Sequence, residues 1–201
     1  MDIRLNSLRR RAGTLALVGL LVSLVLAATV APAGAVTEPI TGTAVTSGGN
    51  GFTNTDFTYT TSGILGSGTI HNEFVLIPVT GGFRTEGTGV LTRADGATLS
   101  GTTVGSVDLT TSPIGVTGSF TVTSGTGGLT GATGEIVLTG TSRGPGVIGD
   151  VFVMTGTLTV PPAVPTDKDQ CKHGGWQNLG DDQGEPFRNQ GQCVSFVEHT
   201  T

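Results

Sequence analysis

The sequence predicts an all-β protein of about eight antiparallel strands, on three observations. Glycine is 34 of 201 residues, threonine and valine are abundant, and no lysine occurs before Lys168. Threonine and valine suit pleated strands and glycine opposes helix, so residues 36–160 lack the means to build helices. Apolar and polar residues alternate with period two through many short segments, the mark of strands with one buried face. Glycine-rich connections of hairpin length separate these segments. Glycine and serine at this level also occur in disordered chains, but those are rich in charge and poor in β-branched residues, and here only 12% of residues are charged.

Ahead of the strands, residues 1–35 read as a secretory leader. Arg4, Arg9, Arg10 and Arg11 form a basic head, an apolar run extends from Leu15 to Val30, and Ala33-Gly34-Ala35 is a small-residue cleavage signal. Cleavage is expected after Ala35. The apolar run is shorter than the roughly twenty residues that span a bilayer, and no basic stop-transfer flank follows it. The arginine pair lacks the hydrophobic residues that twin-arginine export requires close behind it, since Ala12, Gly13 and Thr14 follow. General secretion is expected, with no integral membrane anchor after cleavage. Losing residues 1–35 removes four arginines and Asp2, which moves the formal charge from −5 to −8. So acidic a chain offers no electrostatic footprint for nucleic acid or anionic lipid.

The strands are expected near residues 40–46, 55–62, 68–79, 84–94, 97–110, 115–123, 134–142 and 150–160. In the last, Phe152, Met154, Leu158 and Val160 share one face, and Val151, Val153, Thr155, Thr157 and Thr159 the other. In GSFTVTS, Phe120 and Val122 oppose Thr121 and Thr123. Asp95-Gly96 is the strongest hairpin signal and predicts a type I′ turn. Periodicity leaves a closed up-and-down barrel and a sandwich equally open.

Residues 118–141, GSFTVTSGTGGLTGATGEIVLTGT, with the following strand VFVMTGTLTV, resemble the last hairpin of allene oxide cyclases and dirigent proteins. Gly125, Gly127, Leu129, Gly131, Ala132 and Gly134 fit the glycine corner of those families, with Gly128 as one extra residue. The resemblance implies a closed eight-stranded barrel, with Leu129 plugging one end. It also implies cofactor-free action by a shaped cavity, on an oxylipin or on phenoxy radicals. The functional residues of those families lie on earlier strands that do not align, where this chain has Tyr59 and a few phenylalanines, so none is carried over.

Two motif matches reduce to loop glycines. Gly140-Thr141-Ser142-Arg143-Gly144 has the pattern of a hydrolase nucleophile, and Gly144 to Gly149 that of a dinucleotide loop. Both chemistries need a helix directly after the turn, and here a strand follows. No cofactor is expected. His71 and Glu73 lie two apart on one strand and share a face, so an inward orientation would make them a general-base pair, extended by Arg84 and Glu86. The preferred alternative is a solvated cluster across neighbouring strands.

After Val160 a proline-rich linker spans residues 161–170, and composition changes abruptly. Residues 171–201 are expected to form a small module. They resemble a C-terminal segment of many bacterial exported proteins, C-K-x-G-G-W followed by F-[KR]-N-Q-G-[QD]-C-V-S-[FY], a segment of no established role. Cys171 and Cys193 admit three readings: a disulfide, a zinc site with His173 and His199, or a reactive thiol. Export and the even cysteine count favour the disulfide, and a module this small needs the staple. The expected partners are a small apolar ligand in the barrel, further copies of the chain, or a cell-surface partner of the module. Three functions remain: non-enzymatic small-molecule binding or another cell-surface or extracellular role of the barrel, cofactor-free isomerisation or cyclisation of an apolar substrate, and adhesion or sorting through residues 171–201.

Overall fold

The computed structural model describes residues 34–200. All of the expected leader up to residue 33 lies outside the described residues, and the first strand starts at Val36. Eight strands follow: β1 (Val36–Gly48), β2 (Asn54–Thr61), β3 (Ser67–Val79), β4 (Gly82–Arg93), β5 (Thr98–Asp108), β6 (Ile114–Gly125), β7 (Thr133–Ser142) and β8 (Val151–Val160). They pair in chain order as a closed antiparallel barrel. Closure runs from Val36 opposite Val160 to Val45 opposite Val151. The barrel is therefore the correct one of the two architectures that periodicity allowed.

Alternation sets the two faces. Ile40 and Ala44, Phe57 and Tyr59, Leu91, Leu99, Phe120, Val122, Ile136, Phe152, Met154 and Leu158 are buried in one core. Threonines dominate the outward positions, the reverse of the apolar-out pattern of outer-membrane barrels. No helix among the described residues is long and apolar enough to cross a membrane.

Two local expectations change. β1 begins four residues early and includes Pro39, opposite Thr157. β2 joins β1 only from Gly42 onward, so this stretch has an open edge where proline is tolerated. The Asp95-Gly96 turn is not type I′, because Gly96 has φ +89° while Asp95 keeps an ordinary negative φ. Asp95 instead accepts a hydrogen bond from Ala97 N at 3.1 Å and pairs with the Arg93 guanidinium, which stabilises a wider turn.

The ends of the barrel differ. At one, short 3-10 turns at Gly63–Leu65 and Gly127–Leu129 place Leu65 and Leu129 in the core with no exposure. Leu129 plugs this end as expected. Arg93 braces it through Nη1 to Ile64 O at 3.0 Å. The other end carries the connections 49–53, 80–81, 109–113 and 143–150, and is open.

The C-terminal module has a core of its own, with Cys171, Phe187, Cys193 and Val197 buried and Trp176, Leu179, Val194 and Phe196 packed on them. A disulfide joins Cys171 to Cys193, from the 3-10 turn Lys168–Cys171 to helix α1 (Gln190–Thr200). Both sulfurs are thereby committed, which removes the zinc and free-thiol readings. Lys168 Nζ meets Glu198 Oε1 at 2.8 Å across the same pair of elements. The linker is partly absorbed into the module, since Ala163 forms a parallel bridge with Leu179.

Candidate functional site

The open end leads into a cavity of about 230 Å³. Six of the eight phenylalanines of the chain line it: Phe52, Phe57, Phe74, Phe83, Phe120 and Phe152. Phe57 and Phe152 meet edge to face, with centroids 5.6 Å apart and rings at 89°. Leu76, Ile114, Val116 and Leu138 complete the apolar wall. No Asp, Glu, Lys, Arg or His is among the residues lining it.

Two inward glycines seat one of the rings that bound this space. Gly89 on β4 and Gly101 on β5 are direct partners in the ladder, and the Phe120 ring lies across both. A methyl group at Gly101 would stand 2.9 Å from Phe120 Cζ and at Gly89 3.1 Å from Phe120 Cε2. Larger residues there would push the ring into the cavity.

Polar groups in the wall are few. Thr55, Thr85 and Thr103 contribute hydroxyls, and Asn72 contributes a carboxamide from the inward face of β3, between Ile70 and Phe74. Thr55 on β2 and Gly89 on β4 flank Asn72 across the ladders. Asn72 Oδ1 is buried against Gly89 without a hydrogen-bond partner, and no other side-chain nitrogen or oxygen among the described residues is so placed.

A strap of residues 143–150 borders the mouth, with Gly144, Pro145, Gly146 and Val147 facing the cavity. Asp150, its side chain 3% exposed, anchors the strap. Asp150 Oδ1 accepts from Arg143 Nε at 2.6 Å, and Oδ2 accepts from Arg143 N at 3.0 Å and Ser142 Oγ at 2.9 Å. Burial alone would raise the Asp150 carboxyl, but these hydrogen bonds and the Arg143 charge outweigh it and hold the group below the usual carboxylate range. Thr46 ties the strap to β1, donating from Oγ1 to Val147 O at 2.9 Å and accepting from Asp150 N at 2.9 Å. Gly51, with φ +71°, packs on Pro145 and Gly146 so closely that any side chain would overlap their backbone. Ser142, the hydroxyl of the hydrolase-like match, is thus a strap anchor at a strand end.

The residues singled out in the sequence as a general-base pair lie elsewhere. His71 and Glu73 point away from the cavity, with side chains 50% and 72% exposed. His71 Nδ1 meets Asp56 Oδ1 at 2.5 Å and Nε2 lies 3.6 Å from Glu73 Oε1, while Arg84 pairs with Glu86 at 2.5 Å on the same outer surface. This is the solvated cluster across strands. The hydrogen bond with Asp56 is the main reason the His71 imidazole titrates above its ordinary value. Among the described residues, no group of three or more His, Cys, Asp or Glu is placed to hold a metal ion.

Sequence reasoning passed over Asn72. Its signal was an asparagine in register with Ile70, Phe74 and Leu76 on the inward face of HNEFVLIPV, beside the more conspicuous His71 and Glu73. Comparisons of this chain with protein-family models, with curated proteins and with solved structures find no match.

Proposed function

We propose that this chain is a secreted, non-enzymatic binding protein whose barrel holds one small apolar molecule at its open end. The observation that carries the reading is the cavity lined by six phenylalanines and no charged residue, in a barrel whose other end is filled by Leu65 and Leu129. Small barrels either fill with side chains or hold one small ligand, and concave apolar sites with a few polar groups are where ligands bind. The leader-like residues 1–35 and the Cys171–Cys193 bridge support export, because such bridges persist in oxidising compartments. The resemblance of residues 118–160 to allene oxide cyclases and dirigent proteins supports a cavity-bearing barrel. A cofactor-free isomerase draws less support, since no carboxylate, imidazole or amine is among the residues facing the cavity.

Titration of the secreted protein with an uncharged fluorescent bicycle, 1-naphthylamine, tests the reading. Saturable one-to-one binding is expected, unchanged in the His71→Ala/Glu73→Ala variant and abolished in Gly101→Phe variants that remain folded by circular dichroism. A probe that does not bind, or binds equally well to the filled variant, refutes a cavity function.

A further inference from the structure

We infer that the open end of the barrel docks on a lipid surface of zero net charge, so that the cavity opens against the bilayer rather than into water. The purpose of this contact rests on the binding role proposed above, whereas the contact itself does not.

The distribution of exposed apolar side chains is the first observation. Valines on outward strand positions, such as Val75, Val104 and Val153, need no special account, because β-branched residues suit strands and single apolar side chains are ordinary on a surface. Bulky apolar residues in loops are different. Among the described residues, the exposed large hydrophobics other than valine are Phe52, Leu109 and Ile148, at 57%, 50% and 63% exposure. Each belongs to a different connection of the open end, 49–53, 109–113 and 143–150. The fourth connection, 80–81, follows directly on Val79, which is exposed as well. Phe52 and Leu109 also line the cavity, so apolar surface continues from the interior onto the rim.

Charge is the second observation. The four connections hold two charged side chains, Arg143 and Asp150, which pair with each other at 2.6 Å. Their net charge is zero, so this end has no attraction for an ionic partner. The formal charge of −5 over the chain opposes anionic lipid.

The third observation concerns the backbone. A loop that enters a low-dielectric boundary must bring its polar groups already paired. Phe52 N donates to Asn50 Oδ1 at 2.8 Å, Leu109 N donates to Gly81 O at 2.8 Å, and Ile148 O accepts from Arg143 Nη2 at 2.7 Å. These three tips can leave water without stripping those groups of partners. A fluid lipid surface accommodates tips that stand apart on separate connections, whereas a protein seated on all of them would stopper the mouth. Apolar side chains of this kind settle at the boundary between headgroups and acyl chains, and an apolar guest then passes from the acyl chains to the phenylalanines without crossing water.

The test is co-flotation of the secreted protein with phosphatidylcholine vesicles. Flotation is expected, and no more of it when phosphatidylglycerol is added. Val79→Ser/Ile148→Ser alters two rim residues that do not line the cavity, and should weaken vesicle binding at least about fivefold while the 1-naphthylamine titration stays unchanged. Val75→Ser/Val153→Ser, on the barrel wall, should change neither. Absence of flotation with phosphatidylcholine overturns the inference, as do equal losses in the rim and wall variants or binding that requires phosphatidylglycerol. A dimer that forms without vesicles and is dissociated by Val79→Ser/Ile148→Ser would assign this end to a second copy of the chain, and also overturns it. The first measurement needs no variant, so it decides the matter even if the variants fail to fold. Flotation without 1-naphthylamine binding refutes the binding role and leaves the docking standing, and 1-naphthylamine binding without flotation does the reverse.

Discussion

Asn72 stands opposite Gly89 in the ladder between β3 and β4, and a methyl group added to Gly89 would overlap the Asn72 carboxamide oxygen. The obstacles to that methyl are side chains, those of Asn72 and Phe120, whereas at Gly101 it would also meet the backbone oxygen of Thr121. Gly89→Ala should therefore leave the barrel closed and displace Asn72 and Phe120 into the cavity. Overpacking of this kind costs about 1–3 kcal/mol. The expected outcome is a modest loss in thermal midpoint with a large loss of probe affinity, whereas Gly101→Ala should be the more destabilising of the two.

The strap rests on a single carboxylate. Asp150→Ala leaves Arg143 N without its acceptor and Ser142 Oγ with Gly144 O alone, for a loss of about 1–3 kcal/mol, although the exposed Arg143 guanidinium regains water. Because the folded Asp150 titrates below its ordinary value, its contribution is fully present above the usual carboxylate range and is lost as pH falls through the folded value. Probe release measured by stopped flow should be insensitive to pH near neutrality and accelerate only under acid. Asp150→Ala should be fast throughout.

Tyr59 is the only tyrosine in the chain, so its ionisation can be read directly in the ultraviolet. Burial at the closed end pushes its hydroxyl up to about 12, against a weaker lowering by the Arg93 charge. With the folded value raised, the stability it contributes is intact below its ordinary value and lost as pH rises toward the folded one. Spectrophotometric titration should show no phenolate until strongly alkaline pH, and an ordinary midpoint in denaturant.

His71 should titrate above a normal histidine by NMR, and Asp56→Asn should return it toward the ordinary value, because the Asp56 bond is the main cause. Any stability this pair supplies is present below the ordinary histidine value and fades as pH rises through the folded one. Both side chains are well exposed, so the thermal midpoint should barely respond, as is usual for surface ion pairs.

Trp176 is the only tryptophan and packs against the core around Cys171 and Cys193, so its fluorescence reports the C-terminal module alone. Closing a loop with a sequence separation of 22 contributes about 3 kcal/mol by the chain-entropy account. Reduction, or the Cys171→Ser/Cys193→Ser variant, should shift Trp176 emission to the red while the Tyr59 titration and probe binding by the barrel stay unchanged. Simultaneous loss of both signals would show that the barrel depends on the module.

Much of this architecture is written locally in the chain. Period-two alternation needs only neighbouring residues, so the eight strands and the inward set Phe152, Met154 and Leu158 are legible in the order of the residues. The same alternation sets His71 and Glu73 outward once Ile70, Phe74 and Leu76 are recognised as the inward face. Closure and cavity are not legible in this way. Both depend on which residues meet across strands far apart in sequence: Val36 with Val160, Asn72 with Gly89, and Gly89 and Gly101 beneath Phe120. Every strand carries a similar pattern of apolar and small residues, so the pattern does not mark which end is filled. Summed side-chain volumes around the ring decide that, and they leave a space shaped by phenylalanines in one half of the barrel, with Asn72 in its wall.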